Sequence, residues 1–218
     1  MTKADDWFED VWEHREERLY PELFGPVGDA IYPLSPAIFT DTFQQDFDPR
    51  WLHCGVFESP PNPKHASWLY VTSGLSNAWE DDEPDPTGPS GLGCEFVFET
   101  SGQARWAIVR MLHVMAFQIL LAHGRYPDRD VLELYDRIPL RDSLTPEPSE
   151  LTWLMVAPPA AADRFQLDSG EVELLALVGI TEGEAQYARD HSGDELLQQL
   201  QDVAAFPVTN PTRSCIIL

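Results

Sequence analysis

Residues 103–123 present apolar side chains on every side of a helix. Trp106, Ile108, Val109, Met111, Leu112, Val114, Met115, Phe117, Ile119, Leu120 and Leu121 leave no polar stripe for water. A helix of this kind must be enclosed by the rest of the chain, so it predicts a central core helix and a fold built in layers around it. Gly124 is placed to end it. Within it, the stretch from Met111 to Gly124 is 14 residues long and contains His113 and Gln118. A membrane span needs about 20 apolar residues, so none is expected. His113 is expected as a hydrogen-bonded core residue.

The layers must come from the flanking segments. Trp7, Phe8, Val11 and Trp12 make an apolar stripe at helical spacing, with Asp5 or Asp6 as cap and Glu9, Asp10, Glu13, Glu16 and Glu17 on the wet side. Pro21 and Gly25-Pro26 are expected to stop this helix. Residues 27–50 fit a short helix or an irregular packing segment. Residues 51–58 and 68–72 read as a β-hairpin with Pro60, Pro61 and Pro63 at its tip. Residues 73–93 form a long loop rich in glycine, proline and acid, and 94–98 return to a strand. Further strands are expected at 151–157, 165–167 and 172–180, with Asp168-Ser169-Gly170 as a turn. Two helices follow, opened by Thr181…Glu184 and Ser192…Glu195. Leu196, Leu197 and Leu200 give the second its buried face, and 208–218 offers a last strand. Strands and helices mix without a βαβ rhythm. The expected fold is therefore α+β, a mixed sheet flanked by helices in a single domain spanning 1–218.

The acid content limits the partners. Asp and Glu number 37 against 14 Lys and Arg, a formal charge of −23. Such a surface repels nucleic-acid phosphates and anionic lipid and attracts basic proteins. Cys54, Cys94 and Cys215 do not make a disulfide framework, and the N-terminus lacks a secretory pattern. A reducing cytoplasmic location follows as an expectation.

Catalytic and metal-binding patterns are weak. Gly88-Pro89-Ser90-Gly91-Leu92-Gly93 has glycines like a phosphate loop, but no Lys or Arg lies between Lys64 and Arg105. Ser90 lacks the spacing of a nucleophile elbow, because Gly91 follows it directly. His53, Cys54 and His65 do not make a metal motif, and Asp81, Asp82, Glu83 and Asp85 lack the alternation of a calcium loop. No cofactor or metal is expected. Cys215-Ile216-Ile217-Leu218 fits a prenylation pattern, with an apolar strand end as the other reading.

Three ordered blocks carry a family resemblance. They are Trp68-Leu69-Tyr70-Val71-Thr72-Ser73-Gly74-Leu75-Ser76, then Thr87-Gly88-Pro89-Ser90-Gly91-Leu92-Gly93-Cys94-Glu95-Phe96-Val97-Phe98, and then residues 172–184 running on to Gly193-Asp194-Glu195-Leu196-Leu197. Together, over about 68–200, they resemble the Suppressor of fused domain, with its S/T-x-G-L/M-S turn, variable loop and G-P-S-G-x-G-x-E-φ-x-φ strand. Gly183 interrupts the paired acids of the third block. The chain's length is similar to that of stand-alone bacterial members, often proposed to be immunity proteins against polymorphic toxins. The resemblance implies binding without catalysis. It places Trp79 at the family's aromatic loop position and Thr87 where animal members carry an acid, with Asp85 two residues earlier.

These readings converge on a protein-binding module with Trp79, Glu80, Asp81, Asp82, Glu83, Asp85 and Thr87 facing the partner. Gly74, Gly88, Pro89, Ser90, Gly91 and Gly93 are expected to shape the loop. Toxin neutralisation is the leading expectation. An adaptor that binds an extended peptide by strand addition is the alternative, and an open strand edge beside the loop would favour it. A hydrolase using Ser90 is the third reading and requires a base beside that hydroxyl.

Overall fold

In the computed structural model, residues 3–28, 31–79, 83 and 85–217 are described. The chain opens with α1 (Lys3–Glu13), a π-helical segment (His14–Leu19) and α2 (Tyr20–Phe24). β1 (Tyr32–Pro33), a second π-helical segment (Ile38–Phe43) and a 3-10 turn (Pro49–His53) lead to β2 (Gly55–Ser59), β3 (Trp68–Ser73) and β4 (Pro89–Thr100). Then come α3 (Arg105–Ala122), β5 (Arg137–Pro139), β6 (Leu151–Ala157), β7 (Arg164–Leu167), β8 (Gly170–Thr181), α4 (Glu182–Asp190), α5 (Gly193–Asp202) and β9 (Val208–Thr209).

Among the described residues the strands form one nine-stranded mixed sheet, ordered β1-β2-β3-β4-β8-β6-β5, with β7 also on β8 and β9 also on β4. β4 runs parallel to β8 and β9; the other pairs are antiparallel. The central strands are apolar on both faces because both faces are covered. Tyr70, Phe96, Phe98, Leu175 and Leu177 pack with α3, whereas Val71, Val97, Leu174, Ala176 and Val178 pack with the N-terminal helices, α4 and α5. The expected core helix is therefore the centre of one layer, which Phe39 and Phe43 of the second π-helical segment and Trp51 of the 3-10 turn complete. By length and composition α3 could cross a membrane, but Ile108, Met111, Met115, Ile119 and Leu120 are buried in the core. Its end is closed by Gly124 N–H to Leu121 O and Arg125 N–H to Leu120 O, with Gly124 at φ +65.

Several local expectations change. The first helix starts at Lys3, so Asp5 and Asp6 lie in its first turn rather than ahead of it. Pro21 does not end the helical run: it falls in the opening turn of α2, where a missing N–H is tolerated. The run ends at Gly25, at φ +79. The hairpin strand begins at Gly55, because Pro49–His53 is a 3-10 turn capped by Asp48. The largest change is at the glycines: Pro89–Gly93 belong to β4, not to the loop. Between Pro89 and Cys94 the β4–β8 register shifts, with Gly91 at φ +54 and Gly93 at φ +71. A kinked strand of this kind has no period-two pattern to read. His113 is half-buried at the outer face of α3, bonded to Val109 O and near Phe43, rather than in the core. The tail contributes only the two residues of β9 as a strand.

The other expected elements are present. β6 has the expected bounds. Thr181 and Glu184 make a reciprocal capping box, and Ser192 Oγ accepts from Glu195 N–H. Beyond β9 the tail is held by side chains. Arg213 makes a bidentate pair with the buried carboxylate of Glu184, at 2.5 and 2.6 Å, and Ile216 N–H donates to the same carboxylate. Cys215 is half-buried there, and Leu218 lies outside the described residues.

Candidate functional site

The loop between β3 and β4 rests on a buried carboxylate. Glu95 lies inside β4 with no solvent exposure. It accepts from Gly74 N–H at 2.9 Å, Ser76 N–H at 2.9 Å, Ser76 Oγ–H at 2.7 Å and Thr72 Oγ–H at 2.6 Å. The Thr72 hydroxyl in turn accepts from Phe96 N–H at 2.7 Å. β3 and β4 are paired in register only over residues 68–71 and 97–100. Beyond that, Thr72 and Glu95 stand between the strands, and the turn from Ser73 to Ser76 wraps the carboxylate. A buried charge persists only when its lone pairs are filled in this way.

Arg15 brings the opposite charge from the N-terminal helical run. It is 1% exposed. One terminal nitrogen donates to Ser76 Oγ at 2.9 Å and to Asn77 Oδ1 at 2.8 Å, and the other lies 3.4 Å from Glu16. Ser76 thus links Arg15 to Glu95. Burial works against the Arg15 charge, but Tyr20, Glu95 and Glu16 outweigh it and hold its pKa above the ordinary value. Burial, with Glu95 second, pushes the Tyr20 hydroxyl well up, and that hydroxyl donates to Thr72 O at 2.6 Å. One network therefore ties the N-terminal helices, the end of β3 and the loop together.

The glycine half of β4 forms the other wall. Leu92 N–H donates to Leu75 O at 2.8 Å. Gly91 lies so close that a side chain there would strike the Asn77 carbonyl. Gly91→Ala is therefore expected to destabilise the chain by about 2–3 kcal/mol, because it adds both φ strain and a clash with main chain. A urea titration would measure this, and a loss under about 0.5 kcal/mol would contradict the packing. Ser90 is fully buried: its hydroxyl donates to Ser76 O at 2.7 Å and lies 2.6 Å from Ser169 Oγ. The hydrolase reading loses its nucleophile, since neither partner is a base and Ser90 does not reach solvent.

Trp79 stands at the lip of this platform, half-buried. Its ring is 4.3 Å from Phe8 of α1 and 5.9 Å from His53. Its indole N–H has no partner among the described residues. Below it is a cleft of about 120 Å³ walled by Trp51, Leu75, Trp79, Leu92, Ile119 and His123. Glu83, Asp85 and Thr87 are exposed along the loop. Asp85 accepts from Thr87 Oγ–H at 2.6 Å and Thr87 N–H at 2.9 Å. These bonds hold its carboxyl below the usual range. Glu80, Asp81 and Asp82 lie outside the described residues. Glu9, Asp10 and Glu13 are exposed on α1, which Phe8 fastens against Trp79. Gly74, at φ +123, packs on Cys54, and Gly88 is half-buried with Gly88 O accepting from Glu171 N–H.

Sequence reasoning gave no role to Glu95 or Arg15. Glu95 stands at the glutamate of the G-P-S-G-x-G-x-E-φ-x-φ segment and inside the apolar run Cys94–Phe98; for Arg15 the one signal was an arginine among helix acids. His65 is structural: its ring contacts Phe24 O at 2.8 Å and Ser67 O at 2.8 Å. Among the described residues no group of three His, Cys, Asp or Glu could hold a metal ion.

The thiols divide by burial. Desolvation pushes Cys54 and Cys94 up to about 12 from an ordinary 9.0, so both stay protonated and unreactive in the folded chain. Ellman's reagent is expected to titrate Cys215 rapidly and the other two only on unfolding. Because the folded-state pKa is raised, the stability contribution of each thiol is complete below pH 9 and is lost as pH rises toward 12. Rapid reaction of all three thiols at pH 8 would contradict this burial.

The family described as Suppressor of fused protein (SUFU) matches residues 50–214. No curated protein sequence matches the chain. A Suppressor of fused homologue from Neisseria gonorrhoeae superposes with a TM-score of 0.64 at 16% identity, covering 98% of both chains. A chain from a crystal structure of a Sufu–Fu complex superposes at 0.66 with 19% identity, covering 95% of this chain and 91% of that one. Drosophila Suppressor of fused superposes at 0.56 with 18% identity over 73% of this chain; the match spans 40% of the Drosophila chain.

Proposed function

Because the chain belongs to the Suppressor of fused protein family, we propose that it is a non-catalytic protein-binding module whose partner docks on the Trp79 loop. The observation that carries this is the bedding of that loop. Four donors fixed on Glu95, and Arg15 anchored through Ser76 and Asn77, make residues 73–78 a rigid seat for an aromatic residue at the surface. Buried aromatic anchors ringed by polar residues are the usual centres of protein interfaces. A structural neighbour was itself captured in a complex, that of Sufu with Fu.

The charge supports the identity of the partner. Glu83 and Asp85, exposed on the loop, carry the sign of the whole chain, −23, as do Glu9, Asp10 and Glu13, exposed on α1, while Arg50 donates to Trp79 O at 3.4 Å. A basic protein would be steered there. The function proposed is neutralisation of a basic toxin, such as a nuclease, in the cytoplasm. Co-expression with the product of an adjacent toxin-like gene tests it: growth should be rescued and a stable complex recovered. Continued toxicity with no complex would overturn the toxin reading.

A further inference from the structure

The N-terminal helical run is held in two different ways. From Arg15 onward, polar bonds fasten it. Arg15 donates to Ser76 Oγ and Asn77 Oδ1, the Ser73 hydroxyl donates to Glu16 at 2.5 Å, and the Tyr20 hydroxyl donates to Thr72 O. Ahead of Arg15, α1 is held by apolar contact. Val11 is buried, Trp7 packs beside the same core cluster, and Phe8 lies against Trp79. Among the described side chains of α1, the one hydrogen bond runs from the Trp12 indole N–H to Glu16, inside the same helical run. The boundary between the two regimes falls at the π-helical segment His14–Leu19. Widened turns of this kind interrupt the α-helical ladder and recur where helices bend at functional sites.

In this position α1 covers the residue to which the partner is assigned. The Phe8 and Trp79 rings are 4.3 Å apart with their planes 31° from parallel, and Trp7 meets Phe8 edge-on at 5.9 Å. The cluster holds two donors with nothing to donate to. The indole N–H groups of Trp7 and Trp79 are both shut off from solvent and without a partner among the described residues. Each gains a partner, from water or from a docked chain, once α1 lifts. Their desolvation offsets part of what the ring contacts contribute to the closed position. Nor does α1 hold its own shape firmly, since an 11-residue helix deprived of packing is marginal in water.

We propose that α1 is a gate over Trp79. In the free chain it is closed, with Phe8 on the ring face that a partner would take. It opens by lifting as a unit about His14–Leu19, while Arg15, Glu16 and Tyr20 stay fastened to the loop and β3. Opening frees Trp79 and its indole N–H without disturbing the Glu95 seat. This rests on the reading of the Trp79 loop as the docking site and specifies how that site is regulated. A partner that binds the open form meets an affinity lowered by the fraction of chains that are open, so weakening the gate strengthens binding.

Hydrogen exchange of the full, unaltered chain, read by NMR with no partner present, tests the gate by itself. The amides of Phe8–Glu13 and the indole N–H of Trp79 should share one protection factor, at least tenfold below that of Leu23 and Phe24. Simple fraying gives protection that rises steadily from Phe8 to Glu13. Such a gradient, or α1 amides as protected as Leu23 and Phe24, would overturn the gate. In Phe8→Ala, protection at Asp10–Glu13 and at the Trp79 indole should fall together about tenfold, with Leu23 and Phe24 unchanged. A fall at Trp79 alone would be a local cavity and would count against the proposal. If that variant does not fold, the exchange pattern of the unaltered chain decides alone. Toward the product of an adjacent toxin-like gene, folded Phe8→Ala should bind about tenfold more tightly than the parent. Equal or weaker binding, where Trp79→Ala weakens it, would overturn gating of the site. The docking reading fails separately, through a Trp79→Ala chain that binds as the parent does or through absence of any complex.

Discussion

Glu95→Ala is expected to lower the unfolding free energy by about 3–5 kcal/mol, a large share of the roughly 5–15 kcal/mol typical of a folded domain. The loss has two sources. Gly74 N–H, Ser76 N–H and the Ser76 and Thr72 hydroxyls lose their shared acceptor inside the protein. Each buried donor left without a partner costs about 1–3 kcal/mol, partly recovered where a hydroxyl turns or water enters. Arg15 also loses the counter-charge it reaches through Ser76. Glu95→Gln should cost less, because its carbonyl oxygen can still accept from the two backbone N–H groups. Its amide nitrogen would then face the Thr72 hydroxyl, which already accepts from Phe96 N–H. Urea titrations of both variants measure this, with Ala the more damaging. A Glu95→Ala chain within about 0.5 kcal/mol of the parent would remove the network from the account.

Arg15→Met is expected to cost about 3–4 kcal/mol, for the complementary reason. Methionine fills much of the same space but leaves Asn77 Oδ1 without its donor and Ser76 Oγ with only one partner. The two substitutions should not add. In a double-mutant cycle of Arg15→Met with Glu95→Gln, a coupling of about 1–2 kcal/mol is expected, because removing either charge relieves the cost of stranding the other. Additivity within about 0.3 kcal/mol would mean that the two groups act independently. The variants should also loosen the loop: amide exchange at Leu75, Ser76 and Asn77 should accelerate in both, while the centre of α3 stays protected.

Legibility in the sequence followed the strength of periodic signals. α3, β6 and the β7–β8 hairpin were readable because apolar periodicity, turn chemistry and capping residues agreed there. Pro89–Gly93 was not readable as a strand, since two left-handed glycines and a shifted register erase the alternation. Pro21 misled for a related reason: a proline marks a break only when the helical register continues through it unchanged. The candidate site divided in the same way. Trp79, Asp85 and Thr87 could be named as candidates from the family resemblance of the loop they stand in. The roles of Glu95 and Arg15 could not, because they depend on Ser76 meeting Glu95 across 19 residues and Arg15 across 61, which composition and local spacing do not encode.

The central claim is that a partner protein is held at the Trp79 loop, on the seat made by Glu95 and Arg15. The most direct measurement is the affinity of the purified full chain for the partner proposed above, the product of an adjacent toxin-like gene, compared with that of Trp79→Ala. Melting temperature serves as the control for folding. The account predicts a 1:1 complex, a loss of affinity of about 30-fold or more in the variant, in line with the roughly 2 kcal/mol of an interface hot spot, and a melting temperature within a few degrees of the parent. Equal affinity of parent and variant, both folded, would contradict it.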